Sequence, residues 1–106
     1  MMNKADRKVA ETIRKQLGAV TLAMLGAHEF VAGRDSLQFA IKGSRRARKI
    51  RIVLDDDDTY TVDFWTGRGA DMHRLAKHSG VYVDQLHELI ERETGLFTNY
   101  AQPVMQ

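Results

Sequence analysis

Between Lys42 and Arg51 the chain places six cations, Lys42, Arg45, Arg46, Arg48, Lys49 and Arg51, and no acid. Clustered cations suit phosphate, because each neutralised phosphate releases counterions. Arginine suits it best, since the guanidinium fork matches two phosphate oxygens at once. Shortly after come four consecutive acids, Asp55, Asp56, Asp57 and Asp58. Adjacent acids alternate in direction and lack the spaced ligands, glycine and distal bidentate acid of a calcium loop. A tight turn is the use that fits them, because aspartate tolerates left-handed backbone and caps backbone donors. Such a turn also offers a basic protein a concentrated negative charge.

The remaining polar clusters have ordinary readings. Asp84, His87, Glu88 and Glu91 share one helical face, and His87 with Glu91 has the i, i+4 spacing of a metal chelate. On the outer face of an amphipathic helix this spacing reads as solvated surface. His73 and His78 are five apart and do not align on a helix, and His28 stands alone. The chain has no cysteine, which excludes disulfides, thiolate metal sites and a cysteine nucleophile. Gly67-Arg68-Gly69 is too short for a phosphate loop and lacks its lysine. There is no nucleophile motif, and no carboxylate falls in a predicted apolar pocket that would shift its pKa. The expectation is a protein that is not an enzyme, with no cofactor and no metal.

These residues must be carried by a single domain, since 106 residues do not support two cores. Val9, Ile13, Leu17, Val20 and Met24 recur at helical spacing, interrupted at Gly18 and ended at Gly26. Three alternating runs follow. Leu37, Phe39 and Ile41 point one way, as do Ile50, Ile52 and Leu54, and then Tyr60, Val62 and Phe64. Period two over successive runs predicts an antiparallel meander with one buried face, and Asp55–Asp58 forms its last turn. Tyr82, Leu86, Leu89 and Ile90 predict a second helix, N-capped by Ser79 and ended at Gly95-Leu96. The stretch from 67 to 78 reads as helix or strand. The expected fold is α+β, in the order α-β-β-β-α. It has a three-stranded meander with helices on one face, a domain over 1–97 and a loose tail over 98–106.

The other sheet face would then carry Gln38, Arg51, Val53, Thr61, Asp63 and Trp65, with the basic run as a protruding loop beside it. Trp65 is a stacking platform there. A second pattern, Leu75 to Val81 followed by Leu86 and Leu89, has helix-turn-helix spacing. Its second helix carries Asp84, Glu88, Glu91 and Glu93, a poor charge for approaching phosphates. The N-terminal residues are polar, and no run approaches the ~18 apolar residues of a membrane span. We read the protein as cytoplasmic.

Three stretches carry a resemblance. They are Thr12 to Gly18 with Ala23 to Ala27, then Asp58 to Phe64, then Gly80 to Leu86 with Glu93 to Leu96. Together they resemble a family of small uncharacterised proteins encoded by bacteriophages and integrated mobile elements. The resemblance implies a phage setting, hence host cytoplasm, and no mechanism; the basic run is not part of it. The expected function is an accessory protein that binds nucleic acid without sequence specificity. Arg45, Arg46, Arg48, Lys49 and Arg51 hold phosphates in this reading, and Trp65 stacks. The alternative is a protein-binding inhibitor of a host system, of anti-CRISPR or anti-defence type, acting through Asp55, Asp56, Asp57 and Asp58. A homodimer covering the open sheet face would compete with the first reading.

Overall fold

The computed structural model describes residues 7–96. Helix α1 (Lys8–Leu17) and helix α2 (Ala19–Leu25) are separated at Gly18, whose φ of 89° no helix accommodates. Gly26 closes α2 in the left-handed region, at φ 64°. The break changes which side chains face inward. Along α1, Ala10, Ile13 and Leu17 are buried, but along α2 the buried residues are Thr21, Leu22 and Leu25. Val20, expected on the apolar stripe, is 46% exposed. One continuous helical period cannot run through a residue at positive φ.

Five strands form one antiparallel sheet in sequence order: β1 (His28–Ala32), β2 (Ser36–Ala40), β3 (Lys49–Leu54), β4 (Tyr60–Thr66) and β5 (His73–Val81). The three central strands are the expected meander, in register Phe39↔Ile50↔Phe64. The two edge strands correct the three-stranded expectation. Strand β1 has five residues, Glu29 at φ 54° sits in a bulge between His28 and Val31, and the apolar Val31 is exposed, so the sequence shows no apolar–polar alternation although burial alternates. Strand β5 is polar and mostly exposed, with two register shifts against β4. Edge strands carry charges and bulges that discourage further pairing, so they lack the period-two signal of a buried strand.

After β5, a 3-10 turn over Val83–Gln85 leads into helix α3 (Leu86–Thr94). The Tyr82 amide donates to Gln85 Oε1 at 2.9 Å. Ser79 is therefore a strand residue and not the expected N-cap, and Tyr82 is 60% exposed and off the buried stripe. Leu86, Leu89 and Ile90 are buried as expected, and Gly95 ends the helix at φ 75°. The tail over 98–106 lies outside the described residues.

One core joins the helices to the inner sheet face. Ile13, Leu17 and Leu25 meet Phe39, Ile50, Ile52, Val62 and Phe64, with Leu86 and Ile90 completing it. Burial of each such side chain contributes roughly 1.5–3 kcal/mol. All three helices bury residues in this one cluster, so among the described residues no helix covers the opposite face of the sheet, the open face.

Candidate functional site

The open face is built from the outward positions of the strands. One row across it reads Gln38, Arg51, Asp63, Lys77, and the next reads Ala40, Lys49, Trp65, Arg74. Neighbours in a row are about 5 Å apart at the backbone. The consequence is a centre line on β4, Asp63 and Trp65, with cations on both flanks. Lys49 and Arg51 come from β3, and Arg74 and Lys77 from β5. Gln38, Lys49, Arg51, Trp65 and Met72 line a shallow groove of about 250 Å³ on this face.

Arg74 ties the centre together. Its guanidinium carbon lies 5.2 Å from the centroid of the Trp65 ring, and its Nε lies 3.6 Å from Asp63 Oδ1. A cation over an indole face is attracted by the ring quadrupole. Asp63 is only 4% exposed, yet Oδ1 has no hydrogen-bond partner among the described residues.

The six residues of the expected phosphate site divide into two groups. Lys49, Arg51 and Trp65 converge on the groove. Arg45, Arg46 and Arg48 are exposed on the loop that precedes β3 and do not line it. That loop is not the protruding tip expected from the sequence. Ser44 Oγ donates to the Thr94 carbonyl at 2.7 Å and accepts from the amides of Arg46 and Ala47 at 3.1 Å each. Ala47 is buried, the Ile41 amide bonds the Arg48 carbonyl at 2.9 Å, and the Arg48 amide bonds the Trp65 carbonyl at 2.8 Å. Arg46 reaches Glu93 at 3.8 Å, and the same carboxylate meets His78 Nε2 at 2.8 Å. The loop is thus fastened to the C-terminal end of α3, where a cation also complements the helix dipole.

Arg74 and Lys77 are site residues that sequence reasoning missed. Ala76 and His78 pair with the inward Phe64 and Val62, so Lys77 between them points outward. That short alternation was the available signal, hidden because His78 is a weakly apolar inward residue and a register shift falls between Phe64 and Trp65. The same strand overturns the helix-turn-helix pattern, since its would-be first helix is the extended β5.

The acidic turn is a turn, as expected. The Asp55 amide bonds the Thr59 carbonyl at 2.9 Å, the Asp58 amide bonds the Asp55 carbonyl at 3.1 Å, and Asp58 adopts φ 66°. Asp57 Oδ1 accepts from the Thr59 hydroxyl at 2.6 Å and its amide at 3.1 Å, which holds the Asp57 carboxyl below its ordinary pKa. Asp55 Oδ2 accepts from the Thr61 hydroxyl at 2.7 Å. His87 Nε2 lies 3.0 Å from both the Leu17 carbonyl and Thr21 Oγ1, a structural contact between α3 and the first helices. Among the described residues no group of three or more His, Cys, Asp or Glu is placed to hold a metal ion. A larger groove of about 710 Å³ lies by α1 and α2, with Leu22, Ala23, Ala27 and Phe30 in its wall. Arg14 lies 4.1 Å over the Phe30 ring there.

No protein-family model matches the chain, no curated protein matches its sequence, and no solved structure matches it. Among the described residues no helix is long and apolar enough to cross a membrane.

Proposed function

We propose that the protein is a non-enzymatic accessory protein of phage or mobile-element type that binds single-stranded nucleic acid across the open face of its sheet. The observation that carries this reading is the placement of Trp65 on the centre line of β4 between Lys49 and Arg51 on one side and Arg74 and Lys77 on the other. Single strands are held by this combination: an aromatic platform for a base and cations that follow the backbone on each side. A duplex hides its base faces, so it gains only the phosphate contacts. Those contacts carry no sequence information.

A two-fold copy seated on the same face would set these four cations against their own equivalents, with Asp63 as the only acid in the two rows. Like charges brought together in an interface oppose association. The inhibitor reading draws less support, because Asp55 and Asp57 use carboxylate oxygens within the turn itself.

Fluorescence anisotropy with short single-stranded DNA, duplex DNA and RNA at two salt concentrations tests the proposal. Four neutralised phosphates on a single strand give a slope of log affinity against log salt of about −3. Binding tighter for single strands than for duplex, with a slope of that order, is the expected result. No binding at low salt sinks the reading.

A further inference from the structure

Asp63 is the one acid in the two rows of the open face, and phosphate binding does not use it. A carboxylate among phosphate-binding cations opposes the approach of phosphate, and this one is 4% exposed with Oδ1 lacking a donor. Buried carboxylate oxygens are normally satisfied. The closest cation, Arg74 Nε, stands at 3.6 Å, too long for a hydrogen bond. The guanidinium is nevertheless over the Trp65 ring. A planar group carrying N–H donors therefore already sits against the indole with a donor towards the carboxylate. Asp63 and Trp65 are two residues apart on one face of an extended strand, about 7 Å along it.

We propose that Trp65 and Asp63 form a pocket that selects guanine from a single strand, and that Arg74 occupies this pocket in the free protein. This rests on the single-strand reading above. Guanine presents two adjacent donors, N1–H and the N2 amino group, on its Watson–Crick edge. A carboxylate accepts only, so the two match. Adenine and cytosine each place a ring-nitrogen acceptor beside their amino group, and thymine has one N–H between two carbonyls. Each of these sets an acceptor against Asp63, and such a mismatch rejects the wrong partner. Bases splayed from a single strand are read on this edge while stacked on an aromatic ring.

Arg74 fits the part of a displaceable occupant. Its side chain is 47% exposed, and it holds Asp63 by a contact without a hydrogen bond. When a base enters, Arg74 swings to a phosphate, leaving Lys49, Arg51 and Lys77 as the fixed cations. The outgoing guanidinium and the incoming guanine edge are both planar donor groups, which explains how one pocket serves both.

The test compares four fluorescent single strands of thymidine that differ only at one central position, which is guanine, adenine, cytosine or thymine. The expected result is a preference for guanine on the order of tenfold, the discrimination one bidentate pair gives. Inosine in place of guanine, which lacks the N2 amino group, loses most of it. Asp63→Asn, near in size and checked for folding by circular dichroism, loses the guanine preference while still binding the strands, and its carboxamide, a donor beside an acceptor, shifts the preference towards adenine and cytosine. Arg74→Ala keeps the guanine preference and lowers the salt slope by about 0.7, the share of one phosphate. Equal binding of the four strands by the unaltered protein overturns the pocket and leaves the single-strand reading standing. Absence of binding to any strand overturns that reading instead.

Discussion

Phe64 and Trp65 are neighbours in β4 and serve opposite faces of one sheet. Phe64 is fully buried, packed in the core with Ile13, Leu17 and Phe39, and its ring meets that of His78 edge-on at 6.2 Å. Trp65 is only partly buried, capped by Arg74 and flanked by Lys49. The inner face is closed by three helices and tolerates little polarity. The outer face buries the Asp63 carboxylate with none of the described helices over it. Asp63 is flanked in the sheet by Arg51 and Lys77, and Arg74 Nε stands 3.6 Å from it. The comparison separates stability from binding: the inner residues hold the sheet, and the outer ones are free to be used.

Substitutions should break the two faces differently. Phe64→Ala empties the centre of the core and should cost about 3–5 kcal/mol in a urea melt, enough to unfold much of the population. Lys49→Glu with Arg51→Glu should abolish most single-strand binding by anisotropy, and should cost up to about 1 kcal/mol of stability, because it sets a second carboxylate opposite the buried Asp63. Arg45→Glu with Arg46→Glu is the control from the neighbouring loop. It should weaken binding less than the sheet pair does, because those arginines stand outside the groove. If the loop pair proves the stronger, the site belongs on the loop and not on the sheet.

Trp65→Ala should cost about 1–3 kcal/mol of binding, the worth of one stacked base, with little change in the melt. Ser44→Ala removes the hydroxyl that joins the basic loop to α3. It should cost about 1 kcal/mol of stability by the same melt, and single-strand binding should change little.

The smallest effects are in pH. Burial raises the Tyr60 phenol above its ordinary value of 10.0. The folded state therefore favours the neutral phenol. The stability this gives is fully present below the unfolded value and is lost as pH rises through the folded one. An alkaline melt series should show a loss that Tyr60→Phe does not. Asp57 has the opposite sign: its lowered pKa gives stability above the ordinary carboxyl value of 3.8 that fades as pH falls through the folded one. Asp57→Asn should flatten that acid limb.

Read from the chain alone, the central strands, the acidic turn, the break at Gly18 and the stops at Gly26 and Gly95 were legible. Each is a local matter: alternation writes a half-buried strand, and glycine marks backbone that other residues rarely adopt. Arg51 and Trp65 could be placed on one face for the same reason. Tertiary structure alone decided the rest. Strands β1 and β5 are held by pairing with their neighbours and not by a hydrophobic pattern of their own, so the stretch up to residue 78 read as helix or strand, and Ser79, a residue of β5, read as a helix cap. Its partner in the sheet is what turns Lys77 and Arg74 towards Trp65. The basic run looked like one site because its residues are consecutive. Contacts some fifty residues away, from Ser44 to Thr94 and Arg46 to Glu93, divide it between a fastened loop and the open face. The burial of Asp63 belongs to the same class: no spacing within β4 encodes it, and its register partners Arg51 and Lys77 come from other strands.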